Sequence, residues 1–384
     1  MSMPKRHAAL EQAGLLALFG VAGALQFSIA IAQILLTVSL VCWIALIVVD
    51  RESVEIPSFA WPLIVYAVLT LVSTAFSPDV RMSLMACKQM VLFLIVPMVY
   101  RFARGAHSQT MVTVIVSFGA AAAAVGIYEY AVLRYDNLGQ RPEGTLGHYM
   151  TYSGVLMLVL GAAVARVLFA ERDRLWAALV VPALAVAIPL TFARSAEVGA
   201  CAAIALLLFL KDKRLLALLP IVAAIFFVAA PARVTDRFES IFNLKDPTIH
   251  DRLVMIREGV PMIKDHPVVG LGPNMVQRFY AQYRQPDAVN ATNPHLHNVP
   301  LQIAAERGLP ALAAWLSFVV MLIVLLARMM RDKRQRLLAA TGLATVVAML
   351  AAGLFEYNFG DSEFLMLFLV LVTLPFAATQ PKRA

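Results

Sequence analysis

The chain has 384 residues, of which 61% are hydrophobic and 15% are charged, and its mean hydropathy is +0.77. This composition excludes a soluble protein of two or three domains and predicts a polytopic helical membrane protein. The net charge of +8 could suggest a nucleic-acid partner, but more than half of the Lys and Arg residues lie beside apolar runs in the positive-inside pattern of membrane proteins, so we expect no nucleic acid.

Apolar runs of about 20 residues, the length that crosses roughly 30 Å of hydrocarbon, predict an all-α fold with about twelve transmembrane helices. The uncharged run from Gln12 to Val49 is too long for a cleaved signal peptide and predicts two retained spans, broken near Gln26-Phe27-Ser28. The other ten are predicted at residues 57–76, 83–100, 109–131, 149–169, 175–192, 195–210, 215–231, 309–329, 337–355 and 364–379. The three cysteines lie within or at the ends of these runs, without metal-ligand spacing, and are assigned to core packing.

Positive charge is distributed unevenly between alternate connections. If the N-terminus is cytoplasmic, seventeen Lys and Arg residues fall on the cytoplasmic side, and the short loops on the other side hold four: Arg81, Arg134, Arg141 and Arg194. Both termini are therefore predicted to be cytoplasmic. The polar segment 231–307 then faces outward as one large loop between transmembrane regions 1–230 and 308–384, with helices predicted over 251–263 and 276–284.

Arg194 separates two apolar spans with almost no loop. An arginine so close to hydrocarbon should be paired or should face a water-filled cavity. The alternatives to a functional role are an ion pair with Glu197, three residues on, or snorkelling to the interface. Arginine suits phosphate binding because its planar fork contacts phosphate oxygens in pairs. Several cations on one outward cavity could hold a diphosphate without metal, and the further candidates are Arg81, Lys88, Arg141 and Arg252.

His297 follows Pro294 and precedes an apolar stretch with helical spacing, which places it near a helix N-terminus. Imidazole is the side chain best suited to removing a proton near neutral pH. His297 is therefore a candidate general base, with a structural interfacial histidine as the alternative. His295 is interpreted as structural.

Motifs for metals and nucleotides are missing from the sequence. Gly270-Leu271-Gly272-Pro273 lacks the third glycine and the preceding strand of a phosphate loop. There is no HExxH, no DxD and no closely spaced His/Asp cluster, and His250 and His266 are too isolated to be proposed as ligands. We therefore predict a site without metal or cofactor.

In these residues the chain resembles the O-antigen ligase family, within the superfamily that also holds O-antigen polymerases and bacterial O-oligosaccharyltransferases. The most specific match is the family pattern of His, then Asn, Ser or Gln, nine further residues and Gly, which His297, Asn298 and Gly308 meet. The family often has Gly, Thr or Tyr three residues beyond that glycine, and this chain departs from the pattern with Ala311. Weaker matches are Arg194-Ser195, the loop from Arg141 to His148, the segment from His266 to Gly272, and Arg252 before it.

The resemblance implies a GT-C-like membrane enzyme of a Gram-negative inner membrane with its active site facing the periplasm. It implies transfer of a preassembled polysaccharide from undecaprenyl diphosphate, the donor, to a sugar hydroxyl of lipid A-core, the acceptor, by inversion. In that reading His297 is the base, and Arg194 and Arg252, with Lys88, Arg141 and Arg81, bind the diphosphate, supported by Asn298, His148 and Gly308. Membrane lipids and other lipopolysaccharide assembly proteins would be the remaining partners.

Three alternatives stay open. An O-antigen polymerase would use another lipid-linked repeat as acceptor. A protein O-oligosaccharyltransferase is less favoured, because such chains usually extend beyond the last span and this sequence ends at Ala384. A transporter or exporter could also have twelve spans, but the two halves show no internal repeat and the charged candidates cluster on the outward side.

Overall fold

The computed structural model describes residues 3–49, 51–240, 243 and 246–381. This part of the chain is helical and contains no strand, as the composition predicts. Its α-helices are α1 Met3–Ala24, α2 Ile29–Val49, α3 Ala60–Ala75, α4 Val80–Ala86, α5 Ile95–Phe102, α6 Ala106–Ala131, α7 Tyr149–Phe169, α8 Arg174–Leu190, α9 Arg194–Lys211, α10 Leu218–Ala229, α11 Ala232–Glu239, α12 Pro247–Asp265, α13 Val276–Tyr283, α14 Val299–Met329, α15 Arg336–Gly353 and α16 Ser362–Ala378. Lys382 and Arg383, which belong to the predicted cytoplasmic C-terminus, lie outside the described residues.

The apolar runs coincide with helices. Among the described residues, seven helical segments are long and apolar enough to cross a membrane: Arg6–Ala24, Ile29–Val49, Val80–Phe102, Ala106–Ala131, Tyr149–Phe169, Val299–Met329 and Arg336–Gly353. Three apolar helices, α3, α8 and α16, are shorter. The predicted break after the first span is confirmed, because α1 ends at Ala24 and α2 begins at Ile29.

Two predicted spans are less regular than the sequence suggested. The run 83–100 forms α4, a 3-10 segment at Cys87–Leu94 and α5. The run 215–231 forms a 3-10 segment at Lys213–Ala217 and then α10, whose 12 residues cover about 18 Å and so fall short of the hydrocarbon thickness. The count of twelve spans therefore stays a prediction.

The apolar core is built around α7 and α16. Every residue of α7 from Thr151 to Arg166 is buried, and α16 is buried almost all around as well. A helix that is hydrophobic on all faces has to lie inside a bundle. Helices α8, α9 and α15 pack on α7, while α5 and α15 pack on α16. This arrangement fixes the loop between α15 and α16 against the start of α7.

The described residues between 231 and 298 (231–240, 243 and 246–298) form a separate layer, which we call the lid, over one end of the bundle. The lid contains α11, α12 and α13 and has a small apolar core of its own, made with residues of α14: Met255, Met262, Leu271, Met275, Val276, Leu296 and Ala305. Both helices predicted in this segment are present, as α12 and α13. Because α12 packs directly on α14, the lid is held against the transmembrane region.

A kink at Gly308 joins the lid to the bundle. Gly308 has φ 81° and ψ 170°, a conformation that essentially only glycine adopts, and it interrupts α14. The lid segment before α13 docks there through main-chain hydrogen bonds from Leu271 to Ala305 (2.9 Å), Gly272 to Glu306 (2.8 Å) and Leu309 to Pro267 (2.8 Å). Two of the sequence motifs, the His266–Gly272 segment and Gly308, thus lie against each other. Their main-chain hydrogen bonds hold the lid backbone against α14.

Candidate active site

His297 occupies the turn before α14. Its φ of 45° lies in the left-handed region, which is uncommon for a residue with a side chain. Asn298 caps α14, since its Oδ1 accepts a hydrogen bond from the backbone N–H of Leu301 over 2.9 Å, and its Nδ2 donates to the carbonyl of Leu354 over 3.1 Å. The cap therefore ties His297 to the loop between α15 and α16.

Glu356, in that loop, is the partner of His297. The Nδ1 of His297 lies 2.9 Å from Oε2 of Glu356, and both side chains are largely buried. Burial alone would raise the pKa of the Glu356 carboxyl, but the hydrogen bond and charge of His297, with other positive side chains nearby, lower it to about 2. Glu356 is therefore a carboxylate at neutral pH, and an imidazole that donates from Nδ1 keeps Nε2 available.

His295 completes a cluster with these two residues. Its ring centroid lies 4.1 Å from that of His297, edge to face, and its Nε2 lies 3.8 Å from Oε1 of Glu356. Burial, reinforced by the charge of His297, lowers the pKa of His295 to about 4, so this ring is neutral at pH 7. The three residues each offer a ligand atom within 4.8 Å of the others and could hold a metal ion, an arrangement that spacing in the sequence did not reveal.

A cavity of about 280 Å³, which we call the arginine cavity, opens beside His297. Arg194 and Ser195 line it from the first turn of α9, and Arg252 lines it from α12. The remaining wall is mostly apolar: Val198, Ile249, Leu253, Ile256, Leu296, Leu354 and Phe355. The cavity thus joins two guanidinium groups, a helix N-terminus and a histidine to a surface suited to hydrocarbon.

Arg194 is held at the cavity by the lid. Its Nη2 lies 3.1 Å from Oδ1 of Asp246, and its Nη1 donates to Oγ of Ser240 over 2.8 Å. The ion-pair partner of Arg194 is therefore Asp246. Proximity in the sequence had suggested Glu197 instead. The carboxylate oxygens of Glu197 are buried and have no hydrogen-bond partner among the described residues.

Arg252 is fixed by main-chain carbonyls. Its Nε donates to the carbonyl of Phe355 over 2.7 Å and its Nη1 to the carbonyl of Thr248 over 3.2 Å, while Nη2 lies 4.0 Å from Oε2 of Glu356. Burial lowers the pKa of Arg252, and the nearby Arg194 adds to this while Glu356 opposes it. An arginine stays charged under these conditions because its pKa lies far above neutrality. The cavity therefore keeps two positive groups.

A second cavity, of about 500 Å³, lies on the His295 side of the cluster, and we call it the polar cavity. Its polar lining consists of Gln33, Lys88, Gln89, Asn274, His295, Gln302, Glu306, Arg307, Tyr357 and Ser362. Lys88, which the sequence grouped with the diphosphate-binding candidates, thus lies in this cavity and not beside Arg194 and Arg252.

The other candidates, Arg141, His148 and Arg81, line neither cavity. Arg141 donates from Nε to the carbonyl of Leu138 over 2.9 Å, and its guanidinium lies 4.2 Å from the ring centre of Tyr149. His148 contacts Thr151, with Nδ1 3.3 Å from Oγ1. Arg81 is exposed and lines neither cavity. The structure thus brings Arg194, Arg252 and His297 together but not all of the predicted cations.

Comparison with known protein families gives a match over the part of the chain that contains three of these site residues. Residues 178–316 match the family model described as O-antigen ligase. The matched stretch includes Arg194, Arg252 and His297 and ends before Glu356. It supports membership of the O-antigen ligase superfamily, as the motifs predicted. No curated protein matches the chain.

Proposed function

We propose that this chain, a member of the O-antigen ligase superfamily, is a glycosyltransferase that moves preassembled O-antigen from undecaprenyl diphosphate to a sugar hydroxyl of lipid A-core. The observation that carries the proposal is the arginine cavity, where His297, paired with Glu356 at 2.9 Å, lines the same space as Arg194 and Arg252. A base and two diphosphate-binding groups are the parts that such a transfer requires.

His297 acts as the general base. Its Nδ1–H donates to Glu356, so Nε2 accepts the proton of the acceptor hydroxyl as that oxygen forms a bond to the anomeric carbon. The bond from the anomeric carbon to the diphosphate breaks in the same step, and the configuration inverts. The Glu356 carboxylate stabilises the imidazolium that results, by the logic of a carboxylate-oriented histidine.

Arg194 and Arg252 bind the diphosphate that departs. Guanidinium groups match phosphate oxygens in geometry and charge, and the N-terminus of α9 adds partial positive charge beside Ser195. Arg194 then exchanges part of its interaction with Asp246 for an interaction with the negative charge of the diphosphate. The apolar side chains of α12 and of the 354–355 loop suit the polyprenyl tail, and a donor fixed beside the base gains rate through proximity.

The topology belongs to the same proposal. The protein crosses a Gram-negative inner membrane about twelve times in a GT-C-like arrangement, with both termini in the cytoplasm, and the lid and both cavities face the periplasm. The charge bias of the connections supports this orientation. The lipid-linked donor, the lipid A-core acceptor and membrane lipids meet at that side, where other lipopolysaccharide assembly proteins deliver them.

Reconstitution tests the reaction. Purified protein in lipid, given undecaprenyl-diphosphate-linked O-antigen and lipid A-core, should form lipopolysaccharide, and linkage analysis should show an inverted anomer. His297→Ala should lower kcat by about 10²–10⁴-fold, with unchanged folding. Near wild-type transfer by the folded variant would remove His297 as the base.

The same assay tests the metal prediction. The cluster of His295, His297 and Glu356 could coordinate an ion, whereas the proposed mechanism uses it as a proton acceptor and its orienting carboxylate. Transfer should therefore continue at the same rate after chelation, and added Zn²⁺ should inhibit by coordinating the imidazole that has to accept the proton. Loss of activity with chelator and recovery with metal would contradict the proposed role.

The nearest alternative is an O-antigen polymerase. In intact cells, loss of a ligase leaves long polymer on undecaprenyl diphosphate, whereas loss of a polymerase leaves single repeats on the core. A gel of the deletion strain therefore decides between the two acceptors.

A further inference from the structure

The two cavities meet at the histidine cluster. His297 lines the arginine cavity and His295 lines the polar cavity, with their ring centroids 4.1 Å apart. Both rings face Glu356, at 2.9 Å from His297 and 3.8 Å from His295. The cluster is thus the place where a polar cavity and a mostly apolar cavity meet.

The walls of the polar cavity suit a saccharide. Gln33, Gln89, Asn274, Gln302 and Ser362 supply amide and hydroxyl groups, and Tyr357 supplies an aromatic ring. Sugar hydroxyls form hydrogen bonds with such groups, whereas a polyprenyl chain would leave them unsatisfied. The volume of about 500 Å³ is in the range of small-ligand sites, which is large enough for a sugar unit.

Lys88 gives this cavity an excess of positive charge. In the described part of the chain Lys88 forms no ion pair. Glu306, a carboxylate in the wall, is paired with Arg307 at 3.0 Å, and both are buried. The ammonium group of Lys88 is therefore available to a ligand.

We infer that the polar cavity binds the acceptor saccharide, with Lys88 contacting an anionic substituent of that saccharide, a carboxylate or a phosphate. The inference rests on the proposed function. In an inverting displacement the attacking oxygen and the leaving group lie on opposite sides of the anomeric carbon. A diphosphate in the arginine cavity therefore places the attacking hydroxyl on the far side of the anomeric carbon, at the histidine cluster, with the rest of the acceptor saccharide in the polar cavity. Lys88 then selects the acceptor instead of binding the donor.

The test separates acceptor binding from catalysis. Core oligosaccharide released from lipid A is titrated into detergent-purified wild-type protein and into Lys88→Gln, Lys88→Arg and Lys264→Gln. Lys264 is an exposed lysine of α12 that lines neither cavity, so it is the matched control. Loss of a charged hydrogen bond should weaken binding to Lys88→Gln by about 10-fold or more, Lys88→Arg should retain most of the affinity, and Lys264→Gln should equal wild type.

Initial rates of transfer then assign the cavity to one substrate. Lys88→Gln should raise the KM for lipid A-core while the KM for the lipid-linked donor stays unchanged. Unchanged oligosaccharide binding by the folded variant overturns the inference, and so does a rise in the donor KM alone, which would assign the cavity to the donor sugar. A wild-type protein that binds the oligosaccharide through Lys88 without transferring polymer would contradict the proposed function only.

Enzymatic removal of phosphate from the oligosaccharide identifies the anionic group. If the phosphate is the ligand, the dephosphorylated oligosaccharide binds wild type as weakly as the intact one binds Lys88→Gln. If a carboxylate is the ligand, dephosphorylation leaves wild-type binding unchanged, and Lys88→Gln still weakens it.

Discussion

Glu356 accepts a hydrogen bond from Nδ1 of His297 over 2.9 Å, although 59 residues separate the two in sequence. The α14 cap supplies one half of this pair and the loop between α15 and α16 the other, and the bond from Asn298 to the carbonyl of Leu354 keeps the two segments together. In the proposed reaction, this pair determines which ring nitrogen of His297 faces the substrate. The proposed base thus depends on three helices and not on a local motif.

Replacing Glu356 should therefore lower kcat with little change in either KM. Glu356→Gln keeps an oxygen that accepts the Nδ1–H bond but loses the charge that stabilises the imidazolium. We therefore expect kcat to fall by about 10-fold or more, which is part of the roughly 10²–10⁴-fold that general-base catalysis contributes. Glu356→Ala also loses the orientation and should fall further. Steady-state kinetics on reconstituted protein measures both. Equal rates for Glu356→Gln and wild type would show that the carboxylate has no part in the chemical step.

The lid carboxylate Asp246 should restrain donor binding. Asp246→Asn keeps the cap of α12, where Oδ1 accepts from the N–H of Thr248 over 2.9 Å, but removes the charge opposite Arg194. We expect a lower donor KM for Asp246→Asn.

Arg194→Lys keeps the positive charge but loses the planar guanidinium that contacts two phosphate oxygens at once. This change should raise the donor KM about tenfold. Arg233→Lys, an exposed arginine paired with Asp136 at 2.9 Å, is the matched control, and equal effects at both arginines would remove the specific role of Arg194.

Gly308 and Gly147 form a matched pair for testing the kink. Both have positive φ, 81° and 72°, but a Cβ at Gly308 would lie 2.0 Å from the carbonyl oxygen of Val268, whereas one at Gly147 would have open space around it. Gly147→Ala should destabilise by about 1–2 kcal/mol, the strain of a left-handed residue. Gly308→Ala should lower the unfolding temperature in detergent much more, because the lid backbone has to move away. Similar shifts for the two variants would contradict docking at the kink.

The lid should also carry a pH-dependent contribution to stability. Glu258 is fully buried, with Oε1 accepting from the N–H of Gln285 over 3.0 Å, and burial, with the charge of Asp251 adding to it, raises the pKa of its carboxyl. A raised pKa means that the group's contribution is present below its ordinary value of about 4.5 and is lost as pH rises through the raised pKa. Glu258→Gln should therefore raise the unfolding temperature at pH 8 and should lose this advantage at acidic pH.

Asp287 provides a control of opposite sign. The hydrogen bond from Arg257 lowers the pKa of this exposed carboxyl, so its contribution is present above its ordinary value and is lost as pH falls through the lowered pKa. Asp287→Asn should lower the unfolding temperature at pH 8. Shifts of the same sign in the two variants would show that the pH dependence arises elsewhere.

Sequence patterns predicted the helices well because their causes are local. The break at Gln26-Phe27-Ser28, the helices α12 and α13, and the helix that begins after His297 all follow from hydrophobic period, charge and capping residues. The 3-10 segment at Cys87–Leu94 and the short α10 could not be inferred in this way, because both lie in continuous apolar runs that predict full spans equally well.

The site was predicted only in part, because its parts meet through packing. The pair of His297 with Glu356 joins residues 59 positions apart, and the pair of Arg194 with Asp246 joins residues 52 positions apart. No spacing in the sequence predicts such contacts. A signal was present for Glu356, which is an acidic residue between two strongly apolar stretches and therefore needs a partner. The sequence could not predict which cavity Lys88 lines either, because its charge alone does not distinguish a residue that contacts the proposed donor from one that contacts the proposed acceptor.

The main-chain bonds that dock residues 267–272 onto the kink at Gly308 bear on how substrates of the proposed reaction would arrive. Lifting the lid would break three backbone hydrogen bonds that no side-chain adjustment replaces. Because these bonds hold the lid in place, we expect the two lipid-linked reactants of the proposed transfer to diffuse in from the sides, within the plane of the bilayer. Sideways entry would let a polymer of any length hang outside the protein while only its first sugar is enclosed.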